Sequence, residues 1–404
     1  MRLKKVGILL LVLVMSLSMV LAGCGDGGKD AGPNNASGGD KVVKIGLIQP
    51  LTGSIAYGGQ SCANGSILAV EEINAAGGID VNGEKYKIEL VVEDDKGVPK
   101  EAAAAATKLI SKDNVPIIVG TFTSSSTFAA AEIANREGIP IISPLSSATN
   151  LTTSGFEYFF RGRVTTRNNV ELGAKTFAAI GPFKKIAMLA INDDWGKGDL
   201  ADYPANWEKI GVEVTAKETF DQGQTDFYPA IQKMLGTKPD ALFITASTEP
   251  AAMIFKQIRE LDPNIAVLTS GGIDPAKCAE LAGTAIERLW FWSVDPPFTD
   301  EIVAWDKKYE ARFNMTTMSN ARSGYDVIQI VANAIADAGA IEPKAIRDAL
   351  SKQTYDGLQG YYNFDETGES FLKMFYGYFP EGGNGSFEIF TAEEALVKAE
   401  QLRK

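Results

Sequence analysis

Apolar positions fall in two rhythms along the chain. From about Lys41, short apolar runs alternate with stretches whose apolar residues recur every three or four positions. Val42 to Ile48 reads as a buried strand, and Ile67, Val70 and Ile73 then share one face of a helix. Strands are predicted over Tyr86 to Val92, Pro116 to Gly120 and Pro140 to Pro144, with helices over Lys100 to Ser111 and Ser126 to Arg136. A second series follows. Helix Asn169 to Ala179 leads to strand Lys185 to Ile191, and helix Gly198 to Ile210 to strand Val212 to Phe220. Strands Asp240 to Ala246, Ile265 to Ser270 and Leu289 to Val294 come next, with helix Pro250 to Leu261 among them. Helices Glu301 to Phe313, Ser323 to Ala338 and Pro343 to Ser351 precede β-like segments Phe371 to Phe379 and Phe387 to Phe390 and a last helix, Ala392 to Arg403. Strand–helix alternation of this kind predicts an α/β protein with parallel sheets and right-handed crossovers. Two units of similar rhythm are the only internal symmetry.

The first forty residues have neither rhythm. Arg2, Lys4 and Lys5 precede an apolar stretch, Val6 to Val20, interrupted only by Gly7, Ser16 and Ser18. That stretch is short for a spanning helix, which needs roughly 20 residues, and its layout is that of a secretory signal. Leu21-Ala22-Gly23-Cys24 resembles the bacterial lipobox. The resemblance implies a signal peptide over 1–23, and Cys24 lipid-modified as the first mature residue of a protein anchored outside the cytoplasm. Residues 24–40 contain no large apolar side chain and read as a tether. Gly23, Gly25 and Gly28 match a dinucleotide fingerprint, but no strand precedes them and no helix follows, so that reading fails.

The body that remains suits two domains better than one. Removing residues 1–23, which hold three cations and no acid, takes the net charge from −12 to −15. An acidic surface repels phosphate backbones and anionic lipid, so neither nucleic acid nor the membrane surface is an expected partner. The chain has no histidine, which removes Ser-His-Asp and Cys-His catalysis and His-based zinc sites. It has no nucleophile elbow and no phosphate-binding P-loop, and its cysteines lack metal-ligand spacing. Cys62 and Cys278 read as two buried free thiols. Adjacent acids such as Glu71-Glu72, Asp94-Asp95 and Asp193-Asp194 read as solvated surface. A non-enzyme without cofactor or metal is expected.

Two hydroxyl-rich segments carry the functional signal. Thr121-Phe122-Thr123-Ser124-Ser125-Ser126-Thr127 follows one predicted strand, and Ser143-Pro144-Leu145-Ser146-Ser147-Ala148-Thr149 follows the next. Ligands of open parallel sheets bind beyond the carboxyl ends of strands. A helix start there offers hydroxyls and free N–H groups to an anion. Either segment alone could be ordinary capping; two on successive strands point to a pocket. Tyr57, Trp195 and Tyr325 are aromatics suited to covering a ligand, and Trp290 and Trp292 lie in a predicted strand between the two units.

Several segments together resemble the leucine/isoleucine/valine-binding protein family, with its type I periplasmic-binding fold. They are KIGLIQPLTGSIAYGGQ, AVEEINAAGGI, VVEDDKGVPKEAAAAATKLI, VPIIVGTFTSSST, GIPIISPLSSAT, INDDWGKG and SGYDVIQ. The resemblance implies two Rossmann-like lobes joined by three crossovers, one of 41–163 plus 297–371, the other of 164–296 plus 372–404. It implies an amino-acid-like solute in the cleft, an ABC permease as partner and a monomer tethered by its N-terminal lipid. A sensory binding protein of the same fold, presenting ligand to a receptor, is the alternative. By the same resemblance Ser124 holds the ligand carboxylate with Leu145, Ser146 and Ser147, while Tyr57, Trp195 and Tyr325 pack on the ligand. Two departures matter. Gly271 and Gly272 stand where the leucine-type binders place the acid that meets the ligand ammonium, and Ser247 stands where they place an aromatic. Asp274 and Glu249 are the candidates to replace that acid. If neither reaches the pocket, the ligand is a carboxylate or amide without an ammonium.

Overall fold

The computed structural model describes residues 41–404 apart from Met318, and for 166–169 the backbone alone. The predicted signal peptide, Cys24 and the tether lie outside the described residues. Two sheets carry the body. The first uses β1 (Lys41–Gln49), β2 (Ile79–Val81), β3 (Glu84–Asp94), β4 (Ile118–Gly120), β5 (Ile141–Ser143) and β6 (Phe159–Arg161) in the order β2-β3-β1-β4-β5-β6. All its pairings are parallel except β2 with β3. The second uses β7 (Lys185–Ile191), β8 (Glu213–Phe220), β9 (Ala241–Thr245), β10 (Ala266–Thr269) and β11 (Leu289–Ser293), then β14 (Phe375–Tyr378) and β15 (Glu388–Phe390). Its order is β15-β14-β11-β10-β9-β7-β8, with β14 and β15 antiparallel at one edge. Between β11 and β14 in sequence, β12 (Thr354–Gly357) and β13 (Gly360–Asn363) form a hairpin.

The helices are α1 (Ala56–Ala75), α2 (Pro99–Ser111), α3 (Ser124–Glu137) and α4 (Asn150–Thr153), then α5 (Thr166–Ile180), α6 (Asp194–Lys209), α7 (Tyr228–Gly236), α8 (Thr248–Leu261) and α9 (Pro275–Ala282). They are followed by α10 (Asp300–Phe313), α11 (Ser319–Ala338), α12 (Pro343–Leu350) and α13 (Ala392–Leu402). The chain leaves the first sheet after β6, returns after β11 to lay α10, α11 and α12 on it, and crosses again before β14. These are the three crossovers that the sequence resemblance implies.

The central strands of both sheets are buried on both faces, which is why they read as unbroken apolar runs. In β1, Val43, Ile45 and Leu47 pack in one core and Ile48 in the core under α2 and α3. In β7, Ile186 and Met188 face one side, Ala187 and Leu189 the other. α1 and α11 lie together because both present glycine at the contact. A Cβ on Gly65 would come within 1.9 Å of the Ala321 carbonyl oxygen, and one on Gly324 within 2.2 Å of the Cys62 oxygen. Cys62 and Cys278 are both buried and free.

In each sheet the strand order reverses beside the first strand, at β1/β4 and at β7/β9. At such a switch point neighbouring loops leave in opposite directions and open a crevice at the carboxyl edge.

Candidate ligand-binding site

A cavity of about 120 Å³ lies where the two crevices meet. On this measure one water needs roughly 10–15 Å³, so a small organic molecule fits. Its lining comes from the loops after β1 (Ser54, Ile55), β4 (Phe122, Thr123), β7 (Asp193) and β9 (Ser247), and from Gly271, Gly272 and Trp292 after and within β10 and β11.

Hydroxyls and helix ends form one side. Thr123 caps α3, its Oγ1 accepting from Ser126 N at 3.3 Å. The first turn of α3 then points unpaired N–H groups outward, a site for an anion. Ser124, only 2% exposed, lines the cavity, and its Oγ accepts from Ser147 N (3.3 Å) and Ala148 N (3.2 Å). That leaves its proton to donate. Ser147 and Leu145 line the cavity beside it. The loop bearing them is held from behind by Arg161, fully buried, whose Nη1 and Nη2 donate to the Ser146 carbonyl (3.3 Å) and the Ala148 carbonyl (2.9 Å). Glu369 neutralises Arg161 at 3.4 Å.

Aromatic and apolar walls form the other side. Trp195 sits in the first turn of α6, behind the Asp193 cap, whose Oδ1 accepts from Gly196 N at 2.9 Å. A Cβ on Gly272 would meet the Trp195 ring at 2.1 Å, and one on Gly271 the Trp292 ring at 2.5 Å. Neither position can therefore hold an acid: the two indoles occupy that space. Contacts between the lobes close the cavity. Asp194 N donates to Ser125 Oγ (2.9 Å), Gln222 Nε2 to the Lys96 carbonyl (3.3 Å), and Arg163 Nη2 to the Gly271 carbonyl (2.8 Å).

Of the residues expected at the site, Ser124, Leu145, Ser147 and Trp195 line this cavity. Ser146 stands one layer behind, its hydroxyl bonded to those of Ser143 (2.9 Å) and Thr127. Tyr57, Glu249, Asp274 and Tyr325 are not in the lining. The Tyr57 ring lies under Lys277 Nζ, 4.6 Å from its centroid. Glu249 lies against the N–H groups of Tyr57 and Gly58 at the start of α1, and burial raises its pKa. Asp274 is spent capping α9, its Oδ1 accepting from Lys277 N at 2.7 Å, and burial pushes it up to about 7. Tyr325 donates to Glu72 Oε2 at 2.7 Å and meets Trp305 edge-on. Neither candidate replacement for the missing acid reaches the ligand space, because each is consumed by a helix start.

Two charged lining residues escaped the sequence reading, Arg163 and Asp193. Two of the three adjacent-acid pairs proved structural rather than solvated, while Glu71 and Glu72 stand toward the surface in ion pairs with Arg312 and Lys308. Asp193 caps α6, and burial pushes its pKa up to about 6. Asp95 is fully buried on Gly97 N, while Asp94 Oδ1 accepts from Leu51 N and Lys96 N. The available signal for Arg163 was Phe159-Phe160-Arg161-Gly162-Arg163-Val164, two arginines in an apolar run where long cations are rarely buried without a partner. Among the described residues, no cluster of His, Cys, Asp and Glu is placed to hold a metal, and no helix is long and apolar enough to cross a membrane.

The family described as periplasmic binding protein matches residues 42–376. The chain is similar to the leucine-, isoleucine-, valine-, threonine-, and alanine-binding protein of Pseudomonas aeruginosa, 27% identical, covering 83% of this chain and 88% of that one. Among solved structures, a leucine-binding protein LivK from Thermotoga maritima superposes with a TM-score of 0.78 at 25% identity, covering 87% of this chain and all of its own. The branched-chain amino acid transporter substrate-binding protein LivJ from Streptococcus pneumoniae, in complex with isoleucine, gives a TM-score of 0.75 at 29% identity, covering 86% of this chain and 99% of its own.

Proposed function

The chain belongs to the periplasmic binding protein family, of the leucine/isoleucine/valine-binding type, and from that premise we propose that it captures a small carboxylate-bearing solute in the cleft and delivers it to an ABC permease. The observation that carries this reading is the cavity flanked by Ser124, Ser147 and the start of α3, where a carboxylate can find hydroxyl and backbone donors. A buried carboxylate without such donors would be costly. The lobes are residues 41–163 plus 297–371 and 164–296 plus 372–404. Solute touching both stabilises their closed arrangement by its difference in affinity between closed and open states. Cys24 carries the lipid that holds the protein at the outer face of the cytoplasmic membrane.

Native mass spectrometry of the protein purified from membranes tests the reading. One small acid per chain should be present in the native state and released on denaturation. The denatured mass should be that of a chain starting at Cys24 plus its lipid. An empty native state, with no thermal shift from any small carboxylate, would overturn the solute reading; an unmodified N-terminus would overturn the anchor.

A further inference from the structure

The cleft contains a buried cation with an unmet hydrogen-bonding atom. Arg163 is 7% exposed and lines the cavity. Its Nη2 donates to the Gly271 carbonyl at 2.8 Å, while its Nη1 has no hydrogen-bond partner among the described residues. Arg161, two residues earlier and fully buried, shows what a structural arginine looks like here: its Nε makes no hydrogen bond either, but a carboxylate stands 3.4 Å from it, and its Nη atoms donate to two carbonyls and a hydroxyl. Arg163 has one carbonyl and the Trp292 ring, 6.0 Å from its guanidinium carbon. Burial lowers its pKa; Asp295 opposes that, but Asp295 is itself bonded to Arg322 at 3.0 Å. A guanidinium stays charged under such conditions, and a desolvated charge without a counterion is costly.

We propose that Arg163 is the specificity-determining residue of the cleft, and that it selects a carboxylic acid carrying a second, acceptor-only group (an oxo or carboxylate oxygen) in place of an ammonium. The proposal rests on the reading of the cleft as a carboxylate site and names the class of solute it takes. Ser124, Ser147 and the start of α3 hold one carboxylate, and the free Nη1 of Arg163 donates to the second acceptor. An ammonium would face a fixed positive charge at this point. The space beside it cannot be given an acid, since Trp292 and Trp195 fill the Cβ positions of Gly271 and Gly272. Asp193 is the one carboxylate in the lining, and it already accepts from the N–H groups of Trp195 and Gly196. The remaining walls, among them Ile55, Phe122, Phe220 and Met253, suit an apolar body.

Four acids on one carbon skeleton separate the possibilities by isothermal titration: leucine, 4-methylpentanoate, 4-methyl-2-oxopentanoate and isobutylmalonate. They offer at the second position an ammonium, nothing, an oxo group and a carboxylate. The wild-type protein should bind the oxo acid or the dicarboxylate at least roughly tenfold tighter than the other two, the range for a hydrogen bond to a charged group. The better of the two tells which acceptor is native. Arg163→Met should erase the preference, and Arg163→Lys, keeping charge without the fork, should retain part of it. Leucine binding tightest, or a preference untouched by Arg163→Met, would overturn the proposal while leaving the cleft a solute site. If Arg163→Met does not fold, the wild-type ranking and Arg163→Lys still decide. No binding by any of the four would overturn the proposal, and the native mass measurement would then show whether the cleft reading falls with it: a co-purified acid of another skeleton keeps it.

Discussion

At the scale of single residues, the site depends on hydroxyls that face two ways. Ser124 Oγ accepts from the backbone of Ser147 and Ala148 and keeps one proton for the solute. Ser124→Ala removes that donor and frees two buried N–H groups. We expect binding of any carboxylate solute to weaken by tenfold or more, with a loss of stability of about 1–3 kcal/mol. Unchanged affinity by isothermal titration would show that the carboxylate lies elsewhere. Ser124, Leu145, Ser147 and Trp195 were legible because strand ends and hydroxyl runs are local features. Arg163 was not, since nothing in a linear pattern says whether a buried arginine has found its partner. Ser146 was misplaced for the reverse reason. Its neighbours Thr127 and Ser143 take its hydroxyl, and which of two adjacent serines turns inward depends on the fold of the loop. The carboxylates of Glu249 and Asp274 show the same limit: sequence locates them near the cleft, but helix starts claim them first.

At the scale of elements, the long alternating strands and helices were legible throughout. Lys185–Ile191 was read with its observed ends, and most others within a few residues. Not read were β2, β6, α4, α9 and the β12–β13 hairpin, whereas β4, β5 and β15, no longer than these, were read because short apolar or aromatic runs mark them. One contact between elements has a measurable consequence. α1 begins at Ala56, so the N–H groups of Tyr57 and Gly58 have no partner inside the helix. Glu249, in the first turn of α8 on the opposite lobe, faces both. A carboxylate against a helix start is favourable by about 0.3–1 kcal/mol, and on the proposed reading it joins two lobes that separate to release solute. Lys277 over the Tyr57 ring adds to the same seam. Glu249→Gln should shift the protein toward the open state. Small-angle scattering of the ligand-free variant should give a radius of gyration at or above wild type, and stopped-flow Trp fluorescence should show faster solute release. Slower release would mean that Glu249 holds the lobes apart rather than together.

At the scale of the whole molecule, the absence of histidine makes the pH response unusually easy to attribute. Between about pH 5.5 and 8 an ordinary protein titrates its histidines. In this one the groups brought into that window are buried carboxylates. Burial pushes Asp95 and Asp193 up to about 6, and Asp199, Asp274 and Asp326 up to about 7. Unfolded, each would titrate near 3.9. The folded state therefore holds protons that the unfolded state has released. The stability these groups contribute is fully present below pH ~4 and is lost as the pH rises through 6 and 7. The melting temperature of the ligand-free protein should accordingly rise as buffer is taken from pH 8 to pH 6. Relief of the chain's net negative charge acts in the same direction, so a single site must be isolated. Asp199 serves, because it lies inside α6 away from the cavity lining and its Oδ2 accepts from Thr245 Oγ1 at 2.8 Å. Asn at this position keeps an acceptor for that hydroxyl and carries no charge. Asp199→Asn should raise the melting temperature at both pH 8 and pH 6, by more at pH 8, and so flatten the profile. A wild-type profile that climbs with pH across this window, or an Asp199→Asn profile as steep as wild type, would show that these carboxylates stay ionised inside the fold.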